Sequence, residues 1–206
     1  MTLRSPLRRI ARLVLGSATL GFGVALLLNA HLGSDGYSTL LQGTSVYFDV
    51  KFVIAAVLVA AVFVAVGWAR GVKPGWGTLV QPFVVGTVVT LATTYVPEPE
   101  QLLWRTAQFV LGFLILCVGV AAYLASEYGI GPGEVLARAW DPPFPFKWSY
   151  SVVQAACALV GWRLGADLGA GTVLAAIVIG PVVNQFSRLF PVPAPGEQDR
   201  EAQAGR

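Results

Sequence analysis

A stretch of thirteen residues occurs twice in this chain in closely similar form. "VGWARGVKPGWGT" spans Val66–Thr78, and "VGWRLGADLGAGT" spans Val160–Thr172, at a constant offset of 94 residues. When the match is extended over Val66–Val89 and Val160–Val183, eleven of 24 positions are identical. This agreement exceeds what a shared enrichment in glycine and valine would give. The sequence therefore predicts two copies of one structural unit.

A looser resemblance precedes each copy of this stretch. "LGFGVALLLNAHLGSDGYSTLLQG" begins at Leu20, and "LGFLILCVGVAAYLASEYGIGPGEVLARA" begins at Leu111. The basic and then apolar N-terminus could pass for a cleavable signal peptide. Its counterpart after Leu111 cannot be one, so we interpret both stretches as membrane helices.

The composition indicates a membrane protein. Of its residues 55% are hydrophobic and only 12% are charged, and the mean hydropathy is +0.67. Soluble domains carry about 25% charged residues. Six uncharged runs follow one another: Leu13–Ser34, Phe52–Ala69, Pro74–Pro97, Thr106–Ser126, Trp148–Trp162 and Leu168–Ser187. A helix needs about 20 residues to span a bilayer, and a helix is the single segment that satisfies its own backbone in lipid. We predict six transmembrane helices, of which Trp148–Trp162 is short.

Three helices in each unit imply that the second unit begins from the opposite side of the bilayer. The basic residues agree, because the predicted loops place eleven of them on one side and three on the other. The larger group comprises Arg4, Arg8, Arg9, Arg12, Arg70, Lys73, Arg138, Lys147, Arg188, Arg200 and Arg206, and the smaller comprises Lys51, Arg105 and Arg163. By the positive-inside rule both termini are cytoplasmic. This is the 3 + 3 inverted-topology arrangement of many secondary transporters.

The predicted organisation divides the chain into four parts. A basic cytoplasmic segment covers residues 1–12, repeat 1 covers 13–97, and repeat 2 covers 104–190. The Pro-rich, polar tail 191–206 is predicted to be disordered. All six tryptophans are predicted at helix ends, where amphipathic rings prefer the headgroup level.

Each unit interrupts its first hairpin with a polar, glycine-rich segment. These are "HLGSDGYSTLLQG" at His31–Gly43 and "YGIGPGEVLARAW" at Tyr128–Trp140. Both are predicted to be a break followed by a short helix, capped by Ser34 or Asp35 in the first and started by Pro132 in the second. Interrupted segments at matching positions indicate a transporter's binding site, and their helix N-termini suit an anionic ligand group. The pattern is equally compatible with two ordinary polar loops.

The repeated stretch itself starts a helix in each unit. Gly75-x-Gly77-Thr78 and Gly169-x-Gly171-Thr172 each combine glycines that permit close backbone approach with a threonine that can cap the first turn. The favoured interpretation is a tight turn and a packing notch, with direct ligand contact as the alternative.

Polar residues in or beside the predicted spans are further candidates. Glu134 and Arg138 are four residues apart, so a helix would place them on one face as a surface pair or a gate. Amides are more commonly hydrogen-bonded between helices than bound to ligand; those in question are Asn29, Gln81, Gln108, Gln154 and Asn184. His31, the only histidine, is expected at the membrane interface.

Several function classes lack the residues they need. The single histidine excludes a His-based metal cluster, and we find no serine elbow, CxxC motif or phosphate-binding loop. Basic residues are scattered over loops, which argues against nucleic-acid binding. We therefore expect no enzyme activity and no cofactor.

The quoted residues resemble the YczE/YitT/YyaS-like family of bacterial integral membrane proteins. That family has a glycine-glycine-proline break followed by an aromatic residue and an acid, and then a Gly-x-Gly-Thr helix start. Gly129–Leu136 matches the break, with a glycine in the aromatic's place and Glu134 as the acid, whereas Gly33–Leu40 lacks the proline and has Ser38 instead of the acid. The resemblance covers nearly all of residues 13–190 and implies a bacterial inner-membrane protein without a settled activity.

The sequence thus predicts an all-α polytopic membrane protein with six transmembrane helices in two inverted three-helix repeats. The favoured function is a small secondary transporter or exporter that works by alternating access; the alternative is a non-transporting accessory or scaffold protein. Expected partners are membrane lipid, an unidentified small-molecule substrate and, plausibly, a second copy of the chain. The predicted substrate-binding residues are Gly33, Asp35, Ser38, Thr78, Gln81, Gly131, Glu134, Arg138, Thr172 and Asn184.

Overall fold

The computed structural model describes residues 6–141, 143 and 146–187, and within this part the chain forms eight helices and no strand. The predicted tail 191–206 lies outside the described residues. The helices are α1 (Pro6–Ala30), α2 (Gly36–Tyr47), α3 (Phe52–Ala69), α4 (Trp76–Tyr95), α5 (Leu102–Leu124), α6 (Pro132–Arg138), α7 (Phe146–Arg163) and α8 (Ala170–Ser187).

Four of these helices are long and apolar enough to cross a membrane. They are α1, within Leu7–Ala30, and the whole of α3, α4 and α5. The described part of α8 contributes a shorter apolar segment, Ala170–Ile179. α7 is less apolar because Tyr150 and Gln154 interrupt it. The chain is thus an all-helical membrane protein with four candidate spans in the described residues, and the prediction of six spans is not confirmed.

α1 and α5 form the largest interhelical contact, and they are antiparallel. Their backbones approach at glycines, where a side chain would not fit. A Cβ added to Gly23 would lie 2.7 Å from the carbonyl oxygen of Gly112, and one added to Gly16 would lie 2.9 Å from the Cα of Tyr123. Close approach at small residues is how helices associate in lipid, where burial of apolar surface gives no driving force.

An arginine near the start of each of these two helices caps the end of the other. Arg105 donates from Nε to the Ala30 carbonyl at 2.8 Å and from Nη2 to the His31 carbonyl at 2.6 Å. Arg9 donates to the carbonyls of Ser126 at 3.1 Å and Glu127 at 3.3 Å. The Ala30 carbonyl is the last of α1 and lacks an intrahelical partner, whereas the Ser126 and Glu127 carbonyls follow the end of α5. Both arginines thus stabilise the antiparallel pair by joining the start of one helix to the end of the other.

The core lies between this pair and the helices around it. Its fully buried side chains include Val24 and Leu27 of α1, Leu41 of α2, Val89 of α4 and Leu116 of α5. Large apolar side chains cover the outward faces, for example Leu58, Phe83, Leu114 and Ile177. Such an exposed apolar surface is what lipid contact requires.

The tryptophans lie where the sequence predicts them. Trp68, Trp76, Trp104, Trp148 and Trp162 are at helix ends and Trp140 follows α6, and all six are exposed. Cys117 and Cys157 are free and buried, so they serve as small packing residues.

Candidate functional site

The first break is the five-residue turn between α1 and α2. His31 and Gly33 have positive φ values of 51° and 96°, which reverse the chain within a few residues. Asp35 then caps α2, because its Oδ2 accepts a hydrogen bond from the Ser38 backbone N–H at 3.1 Å. Of the two predicted caps, Ser34 and Asp35, the structure selects Asp35.

The second break, between α5 and α6, repeats this geometry. Glu127 and Gly129 have positive φ values of 59° and 126°, Gly131 is the N-cap, and Pro132 opens α6 as predicted. Proline suits this position because the first N–H groups of a helix have no intrahelical partner. Glu134 lies in the first turn of α6.

Each helix start from the repeated stretch braces the break of the other copy. The Gly77 N–H at the start of α4 donates to the Tyr128 carbonyl at 2.8 Å. The Gly171 N–H at the start of α8 donates to the Leu32 carbonyl, also at 2.8 Å. These glycines are required by close approach, since a Cβ on Gly77 would lie 3.1 Å from the Tyr128 carbonyl oxygen. The packing interpretation of the repeated stretch is therefore the correct one for these glycines.

The two threonines at these helix starts differ. The Thr78 hydroxyl donates to the Ile130 carbonyl at 2.7 Å and accepts from the Gly75 N–H at 3.2 Å. The equivalent hydroxyl of Thr172 is buried without a hydrogen-bond partner among the described residues. The bracing is thus tighter at the second break than at the first.

A cavity of about 80 Å³ lies between the two breaks and is lined by both copies of the unit. Its apolar wall includes Leu20 of α1, Leu116 of α5 and Ile179 of α8. The polar groups that line it are Asp35, Tyr37, Ser38, Gln81, Tyr123, Glu134, Tyr150 and Gln154. No basic side chain lines it in the part of the chain that the structure describes.

Some of these polar groups bind one another. The Tyr123 hydroxyl donates to Glu134 Oε1 at 2.7 Å. Gln154 joins α7 to α2, because its Oε1 accepts from the Tyr37 N–H at 2.8 Å while its Nε2 donates to the Tyr150 hydroxyl at 2.8 Å. Gln154 is therefore the interhelical connector that the sequence favours.

Two residues that line the cavity each have a buried polar atom without a hydrogen-bond partner among the described residues. Asp35 is only 9% exposed, and its Oδ1 has no hydrogen-bond partner among the described residues. The hydroxyl of Tyr37 is also buried without a partner within the described part of the chain. Buried polar groups are normally paired, because an unpaired one costs about 1–3 kcal/mol. These two atoms mark the place where a further species would be accommodated.

The predicted site residues fall into three groups. Asp35, Ser38, Gln81, Gly131 and Glu134 line the cavity together. Gly33, Thr78 and Thr172 lie behind it, where they pack the helix starts against the breaks. Arg138 ends α6 and does not line the cavity, and the side chain of Asn184 lies outside the described residues.

Sequence reasoning missed the tyrosines of the cavity, namely Tyr37, Tyr123 and Tyr150. The signal for Tyr123 was available, since it is a hydroxyl-bearing side chain inside an otherwise apolar run. The expected affinity of the helix N-termini for an anionic ligand also changes. Asp35 already occupies the N-terminus of α2 with the protein's own carboxylate.

A larger hollow of about 940 Å³ lies on the outer surface between α1, α4 and α5. It is lined almost entirely by apolar side chains such as Phe22, Leu91 and Trp104. Gln108 lines it too, but its amide already donates to the carbonyls of Leu26 and Pro97. An open, apolar groove of this kind suits lipid chains.

An exposed cluster closes one end of the helix assembly. His31 Nδ1 lies 2.6 Å from Asp167 Oδ2, and His31 Nε2 lies 3.5 Å from Glu98 Oε2. The hydrogen bond to Asp167 raises the pKa of His31 above its ordinary value of 6.5. His31 is thus an exposed residue just after α1, and it connects the first break to the loop between α7 and α8.

Within the described residues no group of three or more histidine, cysteine, aspartate or glutamate side chains could hold a metal ion. The two carboxylates of the cavity are accompanied by tyrosine, serine and glutamine oxygens only.

The chain is similar to proteins of Haemophilus influenzae and Bacillus subtilis. It is 28% identical over 185 residues to an uncharacterized protein of Haemophilus influenzae, a match that covers 89% of this chain and 85% of the relative. It is 21% identical over 179 residues to the uncharacterized membrane protein YczE of Bacillus subtilis, covering 82% and 80% respectively. No solved structure matches it. The model of the family of unknown function DUF6198 matches residues 7–188, and the similarity to YczE is consistent with this match. The protein therefore belongs to the family DUF6198.

Proposed function

We propose that this protein is a small secondary transporter of the bacterial inner membrane, in which two inverted three-helix repeats alternate in exposing a central site. In this arrangement α1, α3 and α4 form one repeat, and α5, α7 and α8 form the other. The short helices α2 and α6 follow the breaks, and both termini are cytoplasmic.

The paired geometry of the two copies supports the inverted arrangement. Positive φ values recur at matching positions: 51° and 59° at His31 and Glu127, 96° and 126° at Gly33 and Gly129, and 91° and 100° at Gly71 and Gly165. α1 and α5 are antiparallel, and each receives the capping arginine of the other. A two-fold axis in the membrane plane would produce these pairings.

The count of six spans requires that α7 and α8 also cross the membrane. Both helices have 18 residues, which gives about 27 Å at 1.5 Å per residue and is close to the thickness of the hydrocarbon core. The polar side chains of α7 that lower its hydropathy include Tyr150 and Gln154, and both line the cavity. A span that faces a polar interior does not need to be apolar all round.

The observation that carries the proposal is the cavity between the two breaks. Asp35 enters it from the first copy and Glu134 enters it from the second. Ionisable groups within a membrane protein are costly and mark pathways, and transporter sites lie where broken helices of two repeats meet. A purely structural helix assembly would gain stability by filling this space with apolar side chains.

Thiol accessibility tests this function without knowledge of the substrate. Ser38→Cys is placed in a Cys117→Ala/Cys157→Ala background, since Ser38 lines the cavity and is 5% exposed. A membrane-impermeant maleimide is added to intact cells and, separately, to inverted membrane vesicles. Alternating access predicts that the new cysteine reacts from both sides.

Two control positions make the result interpretable. Ser17→Cys is fully buried outside the cavity and should remain unreactive, and Asp49→Cys is exposed in a loop and should react from one side. If Ser38→Cys reacts from one side or from neither while the controls behave as expected, the transporter proposal is wrong and an accessory role takes its place. Cysteines in the loops 71–75 and 165–169 that label from the same side would overturn the inverted topology.

A further inference from the structure

We propose that the cavity between the two breaks binds one small monovalent cation, held by the carboxylates of Asp35 and Glu134. The cation is an alkali ion or an ammonium group. The inference deepens the proposed transport function by naming the class of its substrate or coupling ion. The binding itself can be measured independently of transport.

The charge of the cavity is the first argument. Its lining contains two carboxylates and, within the described residues, no lysine, arginine or histidine. An isolated carboxylate in a low-dielectric interior is strongly unfavourable unless a cation or a proton neutralises it. Glu134 accepts a hydrogen bond from a neutral group, the Tyr123 hydroxyl, at 2.7 Å.

The open coordination of Asp35 is the second, independent argument. Its Oδ2 is used as the cap of α2, but its Oδ1 is buried without a partner among the described residues. Tyr37 lines the same cavity, and its hydroxyl oxygen is also buried without a partner among the described residues. These atoms are hard oxygen donors, which suit alkali and ammonium ions.

The size of the cavity limits what it can hold. A volume of about 80 Å³ is well below the roughly 300–1,000 Å³ of pockets that hold drug-sized ligands. The cavity therefore suits a small ion with a few waters better than a metabolite or a drug. Calcium normally takes six to eight oxygen ligands, several of them carboxylates, and this cavity supplies two. One monovalent cation together with one proton balances the charge of these two carboxylates.

The test measures the thermal unfolding midpoint of the purified full-length protein in detergent. The probes are NaCl, KCl, NH₄Cl and methylammonium chloride, each exchanged against N-methyl-D-glucamine chloride at constant ionic strength. A ligand that binds only the folded state raises the midpoint, by roughly 3–6 °C at ten times Kd for a chain of this size. The salt with the largest shift distinguishes an alkali ion from an ammonium group.

Three variants locate the effect. Asp35→Asn keeps a capping side chain on α2 and Glu134→Gln keeps the shape of the side chain, yet both should lose most of the shift. Asp49→Asn changes an exposed carboxylate outside the cavity and should retain it. Because the neutral side chains no longer need a counter-ion, the first two variants should be at least as stable as wild type in N-methyl-D-glucamine.

The wild-type protein gives a second readout if a variant fails to fold. Protons compete with cations for carboxylates, so the shift should be larger at about pH 8.5 than at about pH 5.5. A shift that persists in the Asp35→Asn/Glu134→Gln double variant, or no shift for any probe at either pH, would overturn the cation site. A cation shift combined with one-sided thiol reactivity would leave the site standing and remove transport, whereas two-sided reactivity without a shift would do the reverse.

Discussion

The two threonines at the repeated helix starts provide the sharpest test of the structure. Thr78 and Thr172 occupy equivalent positions in identical Gly-x-Gly-Thr motifs, and both are buried. The structure gives the Thr78 hydroxyl two hydrogen bonds, to Ile130 and Gly75, and gives that of Thr172 none among the described residues. Substitution by valine removes the hydroxyl and keeps the volume and the β-branching, so each variant reports on the hydroxyl alone.

The expected magnitudes have opposite signs. Thr78→Val loses two hydrogen bonds at about 0.5–1.5 kcal/mol each, so the free energy of unfolding should fall by about 2 kcal/mol. Thr172→Val replaces an unpartnered buried hydroxyl with a methyl group, and its stability should stay the same or rise by up to about 1 kcal/mol. For a chain of this length 1 kcal/mol corresponds to roughly 2–4 °C in the unfolding midpoint.

The measurement is a thermal unfolding midpoint of each purified variant in the same detergent as wild type. Thr78→Val should lie roughly 4–8 °C below wild type, and Thr172→Val at or slightly above it. Equal shifts for the two variants, or a larger loss for Thr172→Val, would refute the assignment of the tight bracing to the second break.

Two further predictions concern the outer cluster and the helix contacts. The pKa of His31 is raised, so its pairing with Asp167 contributes fully below about pH 6.5 and is lost as the pH rises through the folded-state value. In His31→Asn the new side chain tolerates the positive φ, and the variant should unfold at a lower temperature than wild type at about pH 5.5 and at the same temperature at about pH 8.5. Because the pair is exposed, the difference in free energy of unfolding should not exceed about 1 kcal/mol. A difference that does not change with pH would contradict this prediction. A Cβ on Gly43 would lie 2.8 Å from the backbone carbon of Gly161, whereas one on Gly133 would lie 3.7 Å from its nearest neighbour. Gly43→Ala should therefore lower the free energy of unfolding by about 1–3 kcal/mol, and Gly133→Ala should leave it nearly unchanged. Equal unfolding midpoints for the two variants would show that α2 and α7 do not pack as described.

Local chemistry explains what the sequence could predict. The repeat, the two breaks, the cap at Asp35 and the start at Pro132 depend on residues that are near one another in the chain. Hydropathy placed the first span at Leu13–Ser34, yet α1 covers Pro6–Ala30. The absence of charge predicts only the part of a helix that can lie in lipid. The helix α1 itself begins earlier, since its first turns contain arginines, and it ends where His31 adopts a positive φ.

The partners of the polar side chains could not be predicted, because they come from distant elements. Helical spacing paired Glu134 with Arg138, but Glu134 accepts its hydrogen bond from Tyr123 on the preceding helix. Arg9 and Arg105 are separated by 96 residues and were interpreted only as topology signals. That each caps the other's helix follows from the antiparallel packing of α1 and α5, which only the folded chain displays.

The start of a helix in each copy of the unit is hydrogen-bonded to the break in the other copy. Neither copy can therefore complete its hydrogen bonds without the other. The start of α4 needs the carbonyl of Tyr128, which is synthesised about fifty residues later, and the break at Leu32 waits for Gly171. We therefore expect nascent repeat 1 to remain loosely assembled until repeat 2 has been synthesised. Two fragments divided within the exposed link 96–101 should complement each other when co-expressed, and either one alone should be degraded as an orphan.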